Sequence, residues 1–148
     1  MTPAVEAARR AGVAFELHEY DGVDVAESDY AIGVAAALGR PAGQLFKTLV
    51  VSVDGALCVF VVPADRQLDL RRVGKRAQIA DRTQAERATG YVAGGISPLG
   101  QRKRLPTTVD ASALDWETIL VSAGRRGLQI ELRPQDLVAL TDAAVAEL

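Results

Sequence analysis

The sequence has few of the residues on which metal sites and nucleophilic sites depend. Its 148 residues include one cysteine, Cys58, and one histidine, His18. A single cysteine permits no intramolecular disulfide, and one cysteine with one histidine does not complete an ordinary zinc site. We therefore expect neither a structural metal nor a cofactor.

Several catalytic motifs are also missing. The sequence contains no Gly-x-Ser-x-Gly, no Walker lysine motif and no Gly-x-Gly-x-x-Gly fingerprint. A Ser-His or Cys-His pair would have to use His18, and Cys58 lies in an apolar segment that predicts a buried strand residue. Nucleotide hydrolysis and hydride transfer thus lose their usual support.

Long hydrophobic runs are absent. No apolar run approaches the roughly 20 residues that span a bilayer, and the first ten residues lack the apolar core of a signal peptide. With 49% hydrophobic and 24% charged residues, residues 1–148 are expected to form one globular domain. We expect a soluble, cytoplasmic protein with no membrane partner.

The charges are unevenly distributed along the chain. The net charge of −2 divides into −5 for residues 1–70, +6 for residues 71–126 and −3 for residues 127–148. A basic middle section between acidic arms favours a polyanionic partner, which the total alone does not suggest. The alternative is that these cations are scattered over solvated helix faces.

Capping residues and periodicity predict five helices. Thr2-Pro3 begins the first and Gly12 ends it; Ser28 caps the second, Asp81 caps the fourth, and Pro134 opens the last. The predicted helices cover residues 3–11, 28–38, 68–78, a short segment after Asp81 that stops at Gly90, and 135–148.

Apolar segments bounded by turn residues predict the strands. The clearest is a hairpin of two central strands joined by Asp54-Gly55. The predicted strands cover residues 13–20, 46–53, 56–62, 107–110, 118–122 and 128–132. Since helices do not separate each strand from the next, a regular doubly wound sheet fits poorly, and a mixed α/β (α+β) fold is expected.

Residues 90–106 combine a glycine-rich turn with three consecutive cations. Gly94 and Gly95 permit a positive φ and close backbone approach, so that main-chain amides could bind an anion. Arg102, Lys103 and Arg104 follow, within expected reach of the same site. This pattern predicts recognition of a phosphate or a developing oxyanion.

Two other residues are candidates for a binding cleft. Lys47 precedes an apolar run, so its stem is expected to be buried with its ammonium directed at a cleft. Tyr20 could hydrogen-bond or stack with a ligand at the cleft mouth. Either residue could instead be structural, as most surface lysines and half-buried tyrosines are, and Ser97-Pro98 could simply fix a turn.

Specific motifs spread over nearly the whole chain resemble the YbaK/EbsC family. That family contains bacterial Cys-tRNA(Pro) deacylases and is similar to the editing domain of bacterial prolyl-tRNA synthetases. The matching segments are Met-Thr-Pro-Ala-Val at the start, Phe46-Lys47-Thr48-Leu49, Gln67-Leu68-Asp69-Leu70, Gly90-Tyr91, Gly94-Gly95-Ile96-Ser97-Pro98-Leu99-Gly100, Arg104-Leu105-Pro106-Thr107 and Arg126-Gly127-Leu128.

The resemblance implies a fold and a set of site residues. The fold would be a compact, mixed, barrel-like sheet flanked by helices. Lys47 would be the family's essential lysine, and Gly94, with Gly95, would lie in the loop that cradles the aminoacyl end of the tRNA. The implied substrate-binding residues are Tyr20, Ile96, Ser97, Pro98, Ser122 and Gln129.

Gln129 departs from the family pattern. YbaK-type sequences read Gly-Leu-Asp-Ile-Glu-Leu where this chain has Gly127-Leu128-Gln129-Ile130-Glu131-Leu132. The amide keeps hydrogen-bonding capacity without the negative charge, so Gln129 cannot fill a role that requires a carboxylate.

The activity that the resemblance implies is deacylation of Cys-tRNA(Pro) in trans. In this mechanism the thiol of the substrate attacks its own ester, so the enzyme needs no nucleophile of its own. A non-catalytic tRNA- or synthetase-binding module of the same fold and a deacylase for another mischarged tRNA, such as Ala-tRNA(Pro), are the alternatives.

Phosphate contacts are expected from two basic segments. These are Arg71, Arg72, Lys75 and Arg76, and Arg102, Lys103 and Arg104. Since such contacts give little tRNA identity, selection of tRNA(Pro) could require a complex with prolyl-tRNA synthetase.

Overall fold

The computed structural model of the protein describes residues 1–25 and 29–148. Five α-helices and eight β-strands are present in this part of the chain. The helices are α1 (Pro3–Ala11), α2 (Tyr30–Ala37), α3 (Leu70–Val73), α4 (Arg82–Thr89) and α5 (Pro134–Thr141). The strands are β1 (Phe15–Glu19), β2 (Phe46–Val53), β3 (Ala56–Pro63), β4 (Gln78–Ile79), β5 (Thr107–Asp110), β6 (Ile119–Arg125), β7 (Leu128–Leu132) and β8 (Ala144–Ala146). A 3-10 helix covers Ala111–Asp115.

The strands form two sheets. One has the order β1-β7-β6 and is antiparallel; the other has the order β4-β2-β3-β5-β8 and is mixed, because β5 pairs in parallel with both β3 and β8. A parallel bridge between Leu45 and Leu120 joins the start of β2 to β6. The expected mixed α/β fold is confirmed, although the described strands make two open sheets and not a closed barrel.

Two groups of buried side chains lie on opposite sides of this junction. The larger includes Phe46, Val61 and Ile130 and is covered by α1 and α5. The smaller includes Leu45 and Leu120 together with Val34 of α2. Helix α2 therefore covers the face of the sheets opposite the main core.

Local capping signals determine several boundaries as predicted. The Thr2 side chain accepts a hydrogen bond from the Val5 amide at 3.2 Å, and Gly12 ends α1 with a φ of 74°. Asp81 caps α4 by accepting from the Gln84 amide at 2.8 Å. In the β2–β3 hairpin Asp54 and Gly55 both have positive φ, and both strands are central. The predicted cap at Ser28 lies outside the described residues.

Two predicted helices are too long. The helix expected over residues 68–78 is the single turn α3, which ends at Gly74, where an added Cβ would lie 2.7 Å from Val53 Cγ1. The chain then forms β4 against β2. The C-terminal helix ends before Asp142, which has a φ of 53°, and β8 follows. Val145, which falls within the predicted helix 135–148, lies on β8 and is 39% exposed.

None of the helices in the described ranges is long and apolar enough to cross a membrane.

Candidate functional site

Three neighbouring strands and α2 form the walls of the candidate site. Ser122 of β6 is paired with Gln129 of β7, and Leu45 lies beside Leu120 of β6. Since alternate residues of a strand share a face, Lys47 lies on the same face as Leu45. Strand pairing therefore brings Lys47, Ser122 and Gln129, which are far apart in sequence, to the side covered by α2.

A cavity of about 370 Å³ lies at this junction. Its walls come from α2, the start of β2, the loop before Pro98 and the centres of β6 and β7. The described lining residues are Asp29, Tyr30, Ala31, Ile32, Val34, Leu45, Phe46, Lys47, Thr48, Leu49, Ala64, Ala93, Gly94, Ile96, Ser122 and Gln129. A mostly apolar cavity of this size with a few polar groups is typical of small-molecule sites.

Lys47 is the lysine of this lining. Its side chain is partly buried, and burial lowers the pKa of its ammonium group, while the nearby Asp65 carboxylate acts in the opposite direction. A partly desolvated cation attracts an anion more strongly than one in bulk water. Lys47 is thus placed to bind a negatively charged or strongly polar part of a ligand.

Gln129 presents an unpaired polar atom. The residue is 5% exposed, and its Oε1 has no hydrogen-bond partner among the described residues; the same holds for Thr48 Oγ1. A buried acceptor without a donor costs about 1–3 kcal/mol. A ligand that supplies an N–H or O–H group to Gln129 would remove this cost.

The two glycines of the loop serve different geometric needs. Gly94 has a φ of 86°, and an added Cβ would lie 2.9 Å from Val25 Cγ1. Gly95 is not among the residues of positive φ, but its Cβ would lie 2.7 Å from Arg125 Cα. Gly94 thus provides the left-handed conformation, whereas Gly95 permits the loop to approach the backbone at the end of β6.

A pair of tyrosines connects α2 to this loop. The Tyr20 and Tyr30 hydroxyl groups are 2.8 Å apart, and the Tyr30 hydroxyl donates to the Gly94 carbonyl at 3.4 Å. Burial, followed by the contact with Tyr20, raises the pKa of Tyr30. Tyr30 lines the cavity and was not selected from the sequence. Its only sequence signal is an aromatic residue at the start of an alanine-rich helix.

Four predicted site residues lie outside the described lining. Tyr20 contacts the lining residue Tyr30 through its hydroxyl group, and Gly95 is packed on Arg125. Ser97 is fully buried, and its hydroxyl accepts from the Leu99 amide at 3.2 Å, which is the turn-fixing arrangement considered as an alternative. Pro98 lines a second, smaller cavity.

The cations after the glycine loop lie on a segment held at the end of α4, and two of them line a separate cavity. Their backbone is held at the end of α4, since the Arg102 and Lys103 amides donate to the Thr89 and Ala88 carbonyls. Lys103 and Arg104 line the second cavity, of about 240 Å³, which shares no described lining residue with the first. A direct role at the first cavity is therefore not supported for these two residues.

The other basic segment is exposed and partly paired. Arg71 and Arg72 lie near the Asp69 carboxylate, and Arg76 lies 3.3 Å from Asp54. These ion pairs reduce the positive potential of the segment, although all three side chains are more than 60% exposed. A contact of this segment with tRNA stays a prediction.

A charged cluster lies beside the site on β7. Both carboxylate oxygens of Glu131 accept from the Arg40 guanidinium, at 2.9 and 3.0 Å. Glu131 also accepts from Thr118 Oγ1 at 2.5 Å, and its Oε1 lies 2.7 Å from His18 Nε2. Chiefly because of the Arg40 hydrogen bonds, the pKa of Glu131 falls to about 2. The cluster fixes β7 two residues beyond Gln129.

Comparisons with known proteins identify related proteins across most of the chain. The family model of the aminoacyl-tRNA editing domain matches residues 28–140. The chain is 39% identical over 121 residues to the Enterococcus faecalis protein EbsC, to which Cys-tRNA(Pro)/Cys-tRNA(Cys) deacylase activity is ascribed. The match covers 78% of this chain and 74% of EbsC.

Solved structures share the fold. One, described as a trans-editing enzyme for prolyl-tRNA synthetase, has a TM-score of 0.78 and 27% identity over 99% of this chain and 97% of its own. A scaffold protein used in computational epitope grafting has a TM-score of 0.85 and 27% identity over 99% of this chain and 94% of its own. The resemblance to the YbaK/EbsC family is confirmed, and the chain belongs to the aminoacyl-tRNA editing domain family.

Proposed function

We propose that the protein is an aminoacyl-tRNA deacylase that acts in trans on mischarged Cys-tRNA(Pro). Family membership supports the activity, and the name of EbsC supports the substrate. The observation that carries the proposal is the cavity in which Lys47, the Gly94 loop and Gln129 surround a mostly apolar space. A tRNA substrate would place the protein in the cytoplasm.

The composition of the cavity supports a substrate-assisted reaction. Neither a histidine nor a cysteine is among its described lining residues, and the Ser122 hydroxyl accepts a hydrogen bond from the Gly124 amide at 3.2 Å. His18, the single imidazole, is bonded to Glu131. These contacts provide no Ser-His or Cys-His pair at the site, so a nucleophile from the substrate fits the lining best.

The proposed reaction begins on the substrate. The cysteine sulfur forms a bond to the ester carbonyl carbon, the bond from that carbon to the ribose oxygen breaks, and the thiol proton is transferred to the leaving oxygen. The products are tRNA and a cyclic thiolactone, which water then opens to cysteine. Because the protein holds the sulfur close to the carbonyl carbon, the intramolecular attack proceeds without a catalytic base from the protein.

Each described group has a role in this proposal. The Gly94 main-chain amide stabilises the oxyanion, and Lys47 binds the terminal ribose or phosphate or adds positive charge beside the oxyanion. Gln129 Oε1 accepts a hydrogen bond from the amino group of the substrate, and the apolar walls exclude water.

The decisive experiment compares release of amino acid from Cys-tRNA(Pro), Ser-tRNA(Pro) and Ala-tRNA(Pro). We expect rapid release of cysteine and little release of serine, whose hydroxyl is the weaker nucleophile. Equal release of alanine would indicate a deacylase that does not use the thiol. Binding of tRNA without release of any amino acid would indicate a non-catalytic module.

Lys47→Ala tests the assignment of the lysine. We expect kcat/KM for Cys-tRNA(Pro) to fall by about a hundredfold or more, with the thermal unfolding midpoint nearly unchanged. Arg10→Ala, which removes a cation from the exposed face of α1, is the matched control and should retain activity. Normal turnover by a folded Lys47→Ala variant would contradict the assignment.

Selection of tRNA(Pro) is proposed to come from prolyl-tRNA synthetase. The support is the solved structure described as a trans-editing enzyme for that synthetase. Adding the synthetase should increase the preference for tRNA(Pro) over another tRNA charged with cysteine, and an unchanged preference would contradict this partner.

A further inference from the structure

Ala93, the residue before Gly94, is held by charged side chains at both of its main-chain polar groups. Its N–H donates to Glu86 Oε2 at 2.7 Å, and its carbonyl accepts from Arg126 Nε at 2.8 Å. Glu86 lies on α4, and Arg126 lies in the turn between β6 and β7. Two separate elements thus fix one residue of the cavity wall.

These contacts determine the orientation of the next amide. The Ala93 carbonyl and the Gly94 N–H belong to the same peptide unit, which is planar and trans, so the two groups point in opposite directions. By holding the carbonyl, Arg126 directs the Gly94 N–H away from itself. Glu86 holds the preceding peptide unit in the same way, through the Ala93 N–H.

The surroundings leave the segment little freedom to rotate. The Gly95 amide donates to the Val92 carbonyl at 2.9 Å, and Gly95 is packed against the Arg125 backbone. Hydrogen bonds to charged groups are shorter and stronger than neutral ones. The Ala93 hydrogen bond, aided by Arg82 and Arg126, lowers the pKa of Glu86, so Glu86 is an anion at neutral pH.

We propose that Arg126 and Glu86 are positioning residues that aim the Gly94 amide at the reacting carbonyl. This inference rests on the proposed deacylase function. Arg126 acts through the peptide that it holds and contacts neither the ester nor the thiol. An oxyanion donor contributes only when its direction matches the developing charge, so a rotated peptide lowers the rate without weakening the binding of the whole tRNA.

Arg126→Gln tests the proposal in the full-length protein. We expect kcat for Cys-tRNA(Pro) to fall by about tenfold to a hundredfold and KM to change by less than about twofold. Arg126→Lys keeps a cationic donor and should recover part of kcat. Arg87→Gln is the matched control, because it removes an exposed arginine side chain from α4, next to Glu86 in sequence; it should keep kcat.

The alternative role for Arg126 is a direct contact with the tRNA backbone. In that case Arg126→Gln would raise KM and flatten its dependence on salt while kcat stayed constant. This result would overturn the proposal. Glu86→Ala provides a second test, since an anion does not bind phosphate: it should also lower kcat, and kcat equal to that of the wild type would overturn the role of Glu86.

A spectroscopic measurement tests the positioning independently of activity. In amide NMR spectra, Arg126→Gln should shift the Gly94 resonance, whereas Arg87→Gln should leave it in place. An unmoved Gly94 resonance would overturn the inference even if deacylation falls. If the wild-type protein released no amino acid from any charged tRNA while the resonance still shifted, the proposed function would fail, while the orientation of the Gly94 peptide by Arg126 would stand.

Discussion

The charged cluster around Glu131 makes a strong prediction about stability and pH. The pKa of this carboxyl falls from the usual 4.5 to about 2, mainly because Arg40 donates two hydrogen bonds to it. The corresponding contribution to the free energy of unfolding at pH 7 is roughly 3 kcal/mol. The Glu131 side chain is only 11% exposed, so solvent screening removes little of this value.

The sign follows from the direction of the shift. Because the folded-state pKa lies below the unfolded one, the stabilisation is present above pH 4.5 and is lost as the pH falls towards 2. At pH 3 roughly 2 kcal/mol of it should already be lost. Other carboxylates titrate in the same range, so the wild-type protein must be compared with Glu131→Gln, in which this one group no longer titrates.

The assay is denaturant unfolding followed by the fluorescence of Trp116, the single tryptophan, which packs against the main core. The variant should be less stable by about 2–3 kcal/mol at pH 7, and the difference should shrink by roughly 2 kcal/mol at pH 3. Glu16→Gln, at an exposed carboxyl 3.9 Å from His18, should change stability by less than about 0.5 kcal/mol. A pH-independent difference between Glu131→Gln and the wild type would refute the reasoning.

Three further predictions concern the cavity and the surface. Gly95→Ala should lower kcat by about tenfold or more, since its Cβ would lie 2.7 Å from Arg125 Cα; a wild-type kcat would contradict this. Gln129→Leu should raise the free energy of unfolding by about 1 kcal/mol and lower kcat/KM. A fall in the free energy of unfolding together with kcat/KM would show that Oε1 has a structural role. Charge reversal at Lys103 and Arg104 should weaken tRNA binding and reduce its salt dependence, and unchanged binding would remove them from the interface.

Elements with strong local signals were predictable from the sequence. The Thr2 cap with Pro3 determines the start of α1, and Asp54-Gly55 has the two positive φ values that a tight hairpin turn needs. In these cases residues close in sequence determine the conformation. Distant pairing adds stability without moving the boundaries.

Two boundaries were not predictable because distant contacts determine them. Gln78–Ile79 continues a helical pattern in sequence, but pairing with Val51 and Ser52 makes it a strand. Ala144–Ala146 was likewise predicted to be part of the C-terminal helix, but parallel pairing with β5 makes it a strand. A short segment of alanine and valine has too weak an intrinsic preference to resist such pairing.

The residues of the candidate site also fall into those that the sequence predicts and those that it does not. Lys47 and Gly94 were selected from motifs, and both line the cavity. Tyr30, Glu86 and Arg126 were not selected, because their importance depends on which backbone groups they reach across the fold. A helix-surface glutamate and an arginine beside a turn are ordinary in sequence, and only the position of Ala93 between them makes them notable.

The same reasoning applies to the charges. The basic section 71–126 suggested a single anion-binding face, yet its cations are spread over separate surfaces, and several lie near Asp69 and Asp54. Lys47, from an acidic section, lines the first cavity, and Arg126, at the end of the basic one, donates to the carbonyl of the lining residue Ala93. The electrostatic potential at the cavity therefore depends on the cations beside it that are not paired with acidic neighbours. Net charge along the sequence therefore predicts the class of partner better than it predicts the residues that bind the partner.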